Sequence, residues 1–378
     1  MTAQLKPEVK ANDLLEDIRK KLAEFGLPRI IIVITFLSLF VIAYFAGMNV
    51  PSFAGDVLRR WGMWGILVLA MVPSIQAGIG PNFGISVGIV PGLMGAVVSM
   101  DLRHRGFFDG ITNETLFQVA GAVTAIVVGV TFAIFIGILY GLLNNRVKGS
   151  EMAVSVYVGF SAVALFNIVW ARLPVANPIL ILPGTGRGLR QVVNLRDDFG
   201  RAFDDLLSFG IPFPRGTMTV HTGLLLVFFS LCFLMYLFLK SRIGMMMSSA
   251  GANPEYARAS GINVDRMRIL GTTMSTALAA FGIVVYAQSF GFLQLYNAPL
   301  FMGFIAVASI LIGGATVRRA SVLDVLRGAF LLNGILVIAL PLTTHFIPDV
   351  PGIPEIIRII ATYGIILYAL SRAKGGGR

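Results

Sequence analysis

Apolar residues run through this chain in long blocks broken by short polar connections. Ten stretches approach the roughly 20 apolar residues that a helix needs to cross a hydrocarbon core: 30–49, 61–79, 81–100, 117–143, 152–171, 219–239, 267–289, 300–315, 322–342 and 355–371. The eighth is short, and only Gly80 and Pro81 separate the second from the third, so a bend or break is expected there. The pattern predicts an all-α polytopic membrane protein of about ten transmembrane helices filling 30–371. Ahead of them, Leu14, Leu15, Ile18, Leu22 and Phe25 recur at helical spacing among Lys and Arg. Segment 1–29 is therefore expected to be cytoplasmic and helical, either lying on the membrane surface or solvated as a lead-in. No small-residue cleavage site follows the first apolar run, so a signal peptide is not expected.

Composition agrees. Of 378 residues, 56% are hydrophobic and 13% charged, against roughly 25% charged in soluble domains. The 42 glycines and 17 prolines suit transmembrane helices, whose neighbours re-satisfy freed backbone groups. A net charge of +11 could indicate nucleic acid, but the basic residues sit in short segments flanking apolar runs, so no nucleic-acid partner is expected.

Those basic residues orient the chain. Lys6, Lys10, Arg19, Lys20, Lys21 and Arg29 precede the first span; Arg146 and Lys148 follow the fourth. Lys240, Arg242, Arg258, Arg266 and Arg268 surround the loop after the sixth, Arg318 and Arg319 follow the eighth, and Arg372, Lys374 and Arg378 lie in the tail 372–378. All fall on one face, which the positive-inside rule makes cytoplasmic, with both termini. Arg59, Arg60, Arg103 and Arg105 are exceptions on the outer side. The outward connection 172–218 interleaves Arg187, Arg190, Arg196 and Arg201 with Asp197, Asp198, Asp204 and Asp205. That mixed charge suits an extracytoplasmic helix touching water or a partner.

Candidate chemistry is sparse. Gly80, Gly84, Gly88 and Gly92 recur every four residues, which on one helix face lets a neighbour approach closely. Pro91 can kink that helix. The third span is therefore closely packed, or partly unwound beside a solute path. Polar side chains inside the apolar spans need partners and should face the bundle interior. Gln76, Asn82, Ser86, Ser161, Asn167 and Ser275, with Phe83 and Phe166, are candidates to line a path for a neutral polar solute. No Asp, Glu or His falls near the middle of a span, whereas proton-coupled carriers place ionisable groups at that depth. The metalloprotease pair, the nucleophile elbow and the phosphate-binding loop are missing, so no catalytic or metal site is expected. The one cysteine, Cys232, lies in an apolar run and excludes an internal disulfide.

The most informative stretch is Gly251 to Arg266, in loop 240–266 between the sixth and seventh spans. Asn253 is a good N-cap, Pro254 suits the first helical position, Glu255 complements the positive helix end, and Gly261 supplies a left-handed stop. Asn263 can cap the next helix. A helix of two turns is expected, presenting Tyr256 and Arg258 to a soluble partner or serving only as punctuation.

Gly251-x-Asn253-x-x-x-Ala257-x-x-Ser260-Gly261-Ile262-Asn263-Val264 resembles the coupling segment of ABC-importer permeases of the simple-sugar, nucleoside, riboflavin and autoinducer-2 branch, related to branched-chain amino-acid permeases. Gly313-Gly314, ending an apolar run, resembles the family's paired glycine. The resemblance covers about 60–371 and implies two permease chains, identical or related, forming one pathway by alternating access. Asn253, Pro254, Glu255, Tyr256, Arg258 and Gly261 would dock on an ATP-binding cassette subunit. That subunit would hold ATP and Mg, leaving no cofactor on this chain, and an extracytoplasmic solute-binding protein would deliver cargo. Sugar permeases of the branch carry Gly-Ile-Asp-Leu-Ser-Val-Gly in the third span; here Gly84 takes the acidic position in Asn82-Phe83-Gly84-Ile85-Ser86-Val87-Gly88, a pattern leaning toward nucleoside or flavin members. The setting would be the bacterial inner membrane. The competing class is an ion-coupled secondary transporter of a neutral polar solute, and a third is a membrane enzyme or scaffold.

Overall fold

A computed structural model describes residues 27–182, 188–296 and 298–347, with isolated helical positions beyond. The expected N-terminal amphipathic segment, most of the tenth span and the basic tail lie outside these residues.

Helices dominate. α1 is Leu27–Phe45, α2 Val50–Leu69, α3 Met71–Gln76, α4 Ser86–His104, α5 Glu114–Arg146 and α6 Glu151–Arg172. After the outer connection come α7 (Thr222–Lys240), α8 (Arg242–Ala252), α9 (Pro254–Ala259), α10 (Val264–Phe290), α11 (Ala298–Gly313) and α12 (Val322–Phe346). Among the described residues, α4, α5, α6, α7, α10 and α12 are long and apolar enough to cross a membrane. α1 and α11 hold shorter apolar stretches. α5 has 33 residues, about 50 Å at 1.5 Å per residue, so it outruns the hydrocarbon core.

Three expectations are corrected. The second helix starts at Val50, capped by the Asn49 side chain on the Ser52 N–H, so Arg59 and Arg60 lie inside it and not in a connection. The described part of 172–218 beyond α6 holds no helix. It is irregular with three strands: β1 (Val192–Asn194) pairs antiparallel with β4 (Phe292–Gln294), and β2 (Ser208–Phe213) pairs with β3 (Gly216–His221). The fold is therefore helical but not strictly all-α. Pro212 and Pro214 oppose a helix there. Finally, the four-residue glycine repeat does not sit on one helix, because Gly80 and Gly84 precede the start of α4.

The core joins α2, α4 and α10, where Ile66, Leu67, Leu93, Ile283 and Val284 are fully or almost fully buried. Lipid-type surface is concentrated elsewhere, on α1, α5, α6 and α7, which expose Ile34, Phe135, Ile168 and Phe233.

Candidate functional site

The chain breaks inside the bundle. α3 ends at Gln76, Gly78 and Gly80 adopt left-handed φ of 76° and 96°, and helix resumes only at Ser86. Unwound backbone at membrane depth persists only where protein or an aqueous cavity surrounds it. Here protein does: Ile79, Pro81, Asn82 and Ile85 are buried.

Polar side chains hold this break. Asn82 Nδ2 donates to Ser275 Oγ on α10 at 2.9 Å, and Tyr140 on α5 donates its hydroxyl to Asn82 Oδ1 at 3.1 Å. Ser86 Oγ donates to the Pro299 carbonyl of α11 at 2.7 Å, and Gln76 donates to the Ala320 carbonyl before α12. Phe83 packs on Phe304, ring centroids 5.8 Å apart. Every side chain in this set is uncharged.

Five of the eight candidate path residues thus meet at one place: Gln76, Asn82, Phe83, Ser86 and Ser275. The other three share α6. Ser161 is exposed, Phe166 lies 5.5 Å from the Trp170 ring, and Asn167 Oδ1 is buried with no partner among the described residues. Tyr140 was missed. Its sequence signal is a lone phenol in an apolar helix between Gly137 and Gly141, both of which abut α10.

Below the break lies the polar loop. The Asn253 side chain accepts from the Tyr256 N–H at 3.0 Å, Pro254 opens α9, Gly261 turns with φ of 80°, and Asn263 accepts from the Arg266 N–H at 2.9 Å. α9 has six residues, fewer than two turns. Its buried Ala257 packs with Ala250 and Val264, while Glu255, Tyr256 and Arg258 point outward, Tyr256 being 67% exposed. α8 reaches the break through the buried Met247 side chain, which packs with Ala77 and Ile79, and through a glycine contact. A Cβ on Gly78 would stand 2.7 Å from Gly251 Cα, and one on Gly251 would collide with the Gln76 carbonyl. Only two glycines permit this backbone contact.

The start of α10 is tied to α5 and α6. Arg268 donates to Asn145 Oδ1 at 2.9 Å and pairs with Glu151, and Lys148 lies 2.6 Å from Asp265. At the other end of α10 the 172–218 connection is clamped. The fully buried Asp204 carboxylate accepts from Arg59 Nε at 2.7 Å, Ser289 Oγ at 2.8 Å and Gln288 Nε2 at 3.1 Å. Arg103 meets Asp198 at 2.9 Å, and Arg105 meets Asp101 at 2.7 Å. Burial pushes the Asp198 carboxyl above the usual range, outweighing the Arg103 guanidinium that pulls it down. Three of the four arginines that broke the charge rule are therefore neutralised by specific aspartates. Among the described residues, no three His, Cys, Asp or Glu side chains gather to hold a metal.

The chain resembles known proteins along most of its length. A nucleoside ABC transporter permease protein, NupB, of Lactococcus lactis subsp. cremoris (strain MG1363) is 24% identical over 249 residues, 64% of this chain and 61% of the relative. Autoinducer 2 import system permease proteins, LsrC, of Yersinia pestis (strain Pestoides F) and Yersinia pseudotuberculosis serotype IB (strain PB1/+) are 24% identical over 274 residues, 71% of this chain and 66% of theirs. The chain thus spans less than two thirds of each relative's length. No solved structure matches it. The sequence pattern described as branched-chain amino acid transport system / permease component matches residues 53–369, taking in both the broken helix and the capped loop. Over that span, which is most of its length, the chain belongs to the family of permease components of branched-chain amino acid transport systems.

Proposed function

We propose that this chain is the membrane-spanning permease subunit of an ATP-driven importer in the bacterial inner membrane. One observation carries the proposal: the Gly78–Gly251 backbone contact joins the exposed helix α9, through α8, to the broken segment that holds Asn82. Force applied to α9 from outside the bilayer passes through α8 to the break at that backbone contact, with Met247 packed on Ala77 and Ile79 beside it. That is the wiring an alternating-access permease needs if its energy arrives from another chain. In this proposal Asn253, Pro254 and Gly261 shape α9, and Glu255, Tyr256 and Arg258 contact an ATP-binding cassette subunit that carries ATP and Mg. A second permease chain, identical or related, completes the pathway, and an extracytoplasmic solute-binding protein delivers cargo. Ten spans place both termini in the cytoplasm.

The cargo is a small neutral polar solute of sugar, nucleoside or flavin type. Asn82, Ser275, Tyr140 and Ser86 supply uncharged donors and acceptors, and Phe83 with Phe304 supplies ring faces. Phe166 and Asn167 extend such a path along α6. The relatives named for nucleosides and autoinducer 2 favour a polar, uncharged cargo over an amino acid.

The test is co-purification of the assembled importer. Replacing Glu255, Tyr256 and Arg258 together by alanine is expected to release the ATPase subunit while leaving the chain folded in the membrane. Solute transport by the purified chain alone, without ATP, would overturn the proposal.

A further inference from the structure

The β2–β3 hairpin is two-faced. Its register places Phe209 opposite Val220, Ile211 opposite Met218 and Phe213 opposite Gly216, and directly paired residues share a face. One face therefore carries Phe209, Ile211, Phe213, Met218 and Val220. The other carries Ser208, Gly210, Pro212, Thr217 and Thr219. β3 lies along α2, where the Thr219 backbone meets Gly55 and Met218 and Val220 are partly covered. β2 is the outer strand, and among the described residues it stays open: Phe209 is 51% exposed, Ile211 40% and Phe213 46%. Three large apolar side chains are thus exposed on the hairpin's apolar face.

The surroundings say what lies beneath. Arg215, at the hairpin tip, donates to the Tyr44 carbonyl at 3.1 Å, with its guanidinium 5.0 Å from the Tyr44 ring centre. Tyr44 and Phe45 end α1, whose 19 residues extend about 28 Å at 1.5 Å each, close to the roughly 30 Å hydrocarbon core. Exposed aromatics at the end of such a helix mark the boundary between acyl chains and headgroups. β3 then runs directly into α7, which exposes Leu226, Phe229, Phe233 and Leu234. The hairpin is therefore held at boundary depth between two helices with lipid-type surfaces, and its apolar side chains continue those surfaces. Arg215 is exposed and uses one of its five donors on Tyr44, leaving others for a phosphate oxygen at the same depth.

We infer that the β2–β3 hairpin is an interfacial membrane anchor, with Phe209, Ile211 and Phe213 dipping into the outer leaflet and Arg215 at the lipid phosphates. The lipid bilayer, and not a protein, is the occupant of this face. The anchor sets the depth of α2, because β3 and α2 touch backbone to backbone at Gly55 and Thr219. It thereby fixes the level of Arg59 and of the Asp204 clamp relative to the membrane.

Collision accessibility of nitroxide labels tests the inference. In a Cys232→Ala background, single cysteines replace Ile211 on the apolar face and Thr217 on the opposite face. Phe45→Cys serves as the boundary reference, and the full chain is reconstituted in phosphatidylethanolamine–phosphatidylglycerol vesicles. At Ile211, apolar oxygen is expected to collide several-fold more often than a water-soluble nickel chelate, as at Phe45, with the ratio reversed at Thr217. Phe209→Cys repeats the measurement at an independent position on the same face. Nickel collisions exceeding oxygen collisions at both Ile211 and Phe209 would show the face in water and overturn the anchor. An immobilised label shielded from both reagents would show a protein covering it and overturn the anchor equally.

Discussion

Asp204 and Asp101 both accept hydrogen bonds from arginine at 2.7 Å, yet they differ in energy. Asp204 is fully buried and has three side-chain donors, so truncating it removes the acceptor that Arg59 Nε, Ser289 Oγ and Gln288 Nε2 share, leaving Arg59 the Ser289 carbonyl and Gln288 the Val285 carbonyl. Asp204→Ala is expected to destabilise the chain by about 3–5 kcal/mol, as breaking one side of a buried pair does. The Arg105 side chain is 56% exposed, and Arg105→Ala is expected to lose about 1 kcal/mol or less. Thermal melting of the two variants in the same detergent measures the contrast. A similar logic applies to Gly251, whose absent side chain is what the Gln76 carbonyl occupies. Gly251→Val should lower stability by about 1–3 kcal/mol through overpacking. It should also separate ATP hydrolysis from solute uptake in the assembled importer, a readout that simple destabilisation would not give.

At the scale of elements, the punctuation of α9 and α10 was legible because capping is local. Asn253, Pro254, Gly261 and Asn263 do their work within four residues of chain. The break between α3 and α4 was legible as an interruption at Gly80 and Pro81, but not in extent. Helix is lost for nine residues, 77–85, because Asn82 finds Ser275 and Tyr140, far away in sequence, as partners. The outer connection was misread for a related reason. Alternating Arg and Asp suit a solvated helix in isolation; here Asp198 and Asp204 are spent on Arg103 and Arg59.

At the scale of the molecule, the proposed orientation makes a compartment prediction. Lys148, Tyr256 and Arg318 should share the cytoplasmic side, and Thr217 should face the other. Single cysteines at these positions, reacted with a membrane-impermeant maleimide in intact cells and in inverted vesicles, are expected to label from opposite sides. Labelling of Tyr256 in intact cells would reverse the orientation and remove α9 from reach of any ATPase. In that orientation the positive-inside rule becomes cleaner once pairing is counted, since the exceptions Arg59, Arg103 and Arg105 carry aspartate partners.

By itself the sequence determined that the chain is a helical membrane protein, where most helices lie, and how α9 is capped. Each of these depends on composition, on runs of about 20 residues or on contacts within one turn. Only the tertiary structure decided that Gly251, already conspicuous in the sequence, meets Gly78 backbone to backbone, that Asn82 is held from α5 and α10, and that Asp204 clamps the outer end of α10. Those facts join residues between 58 and 193 positions apart, and packing alone selects such partners from the many that local pattern allows.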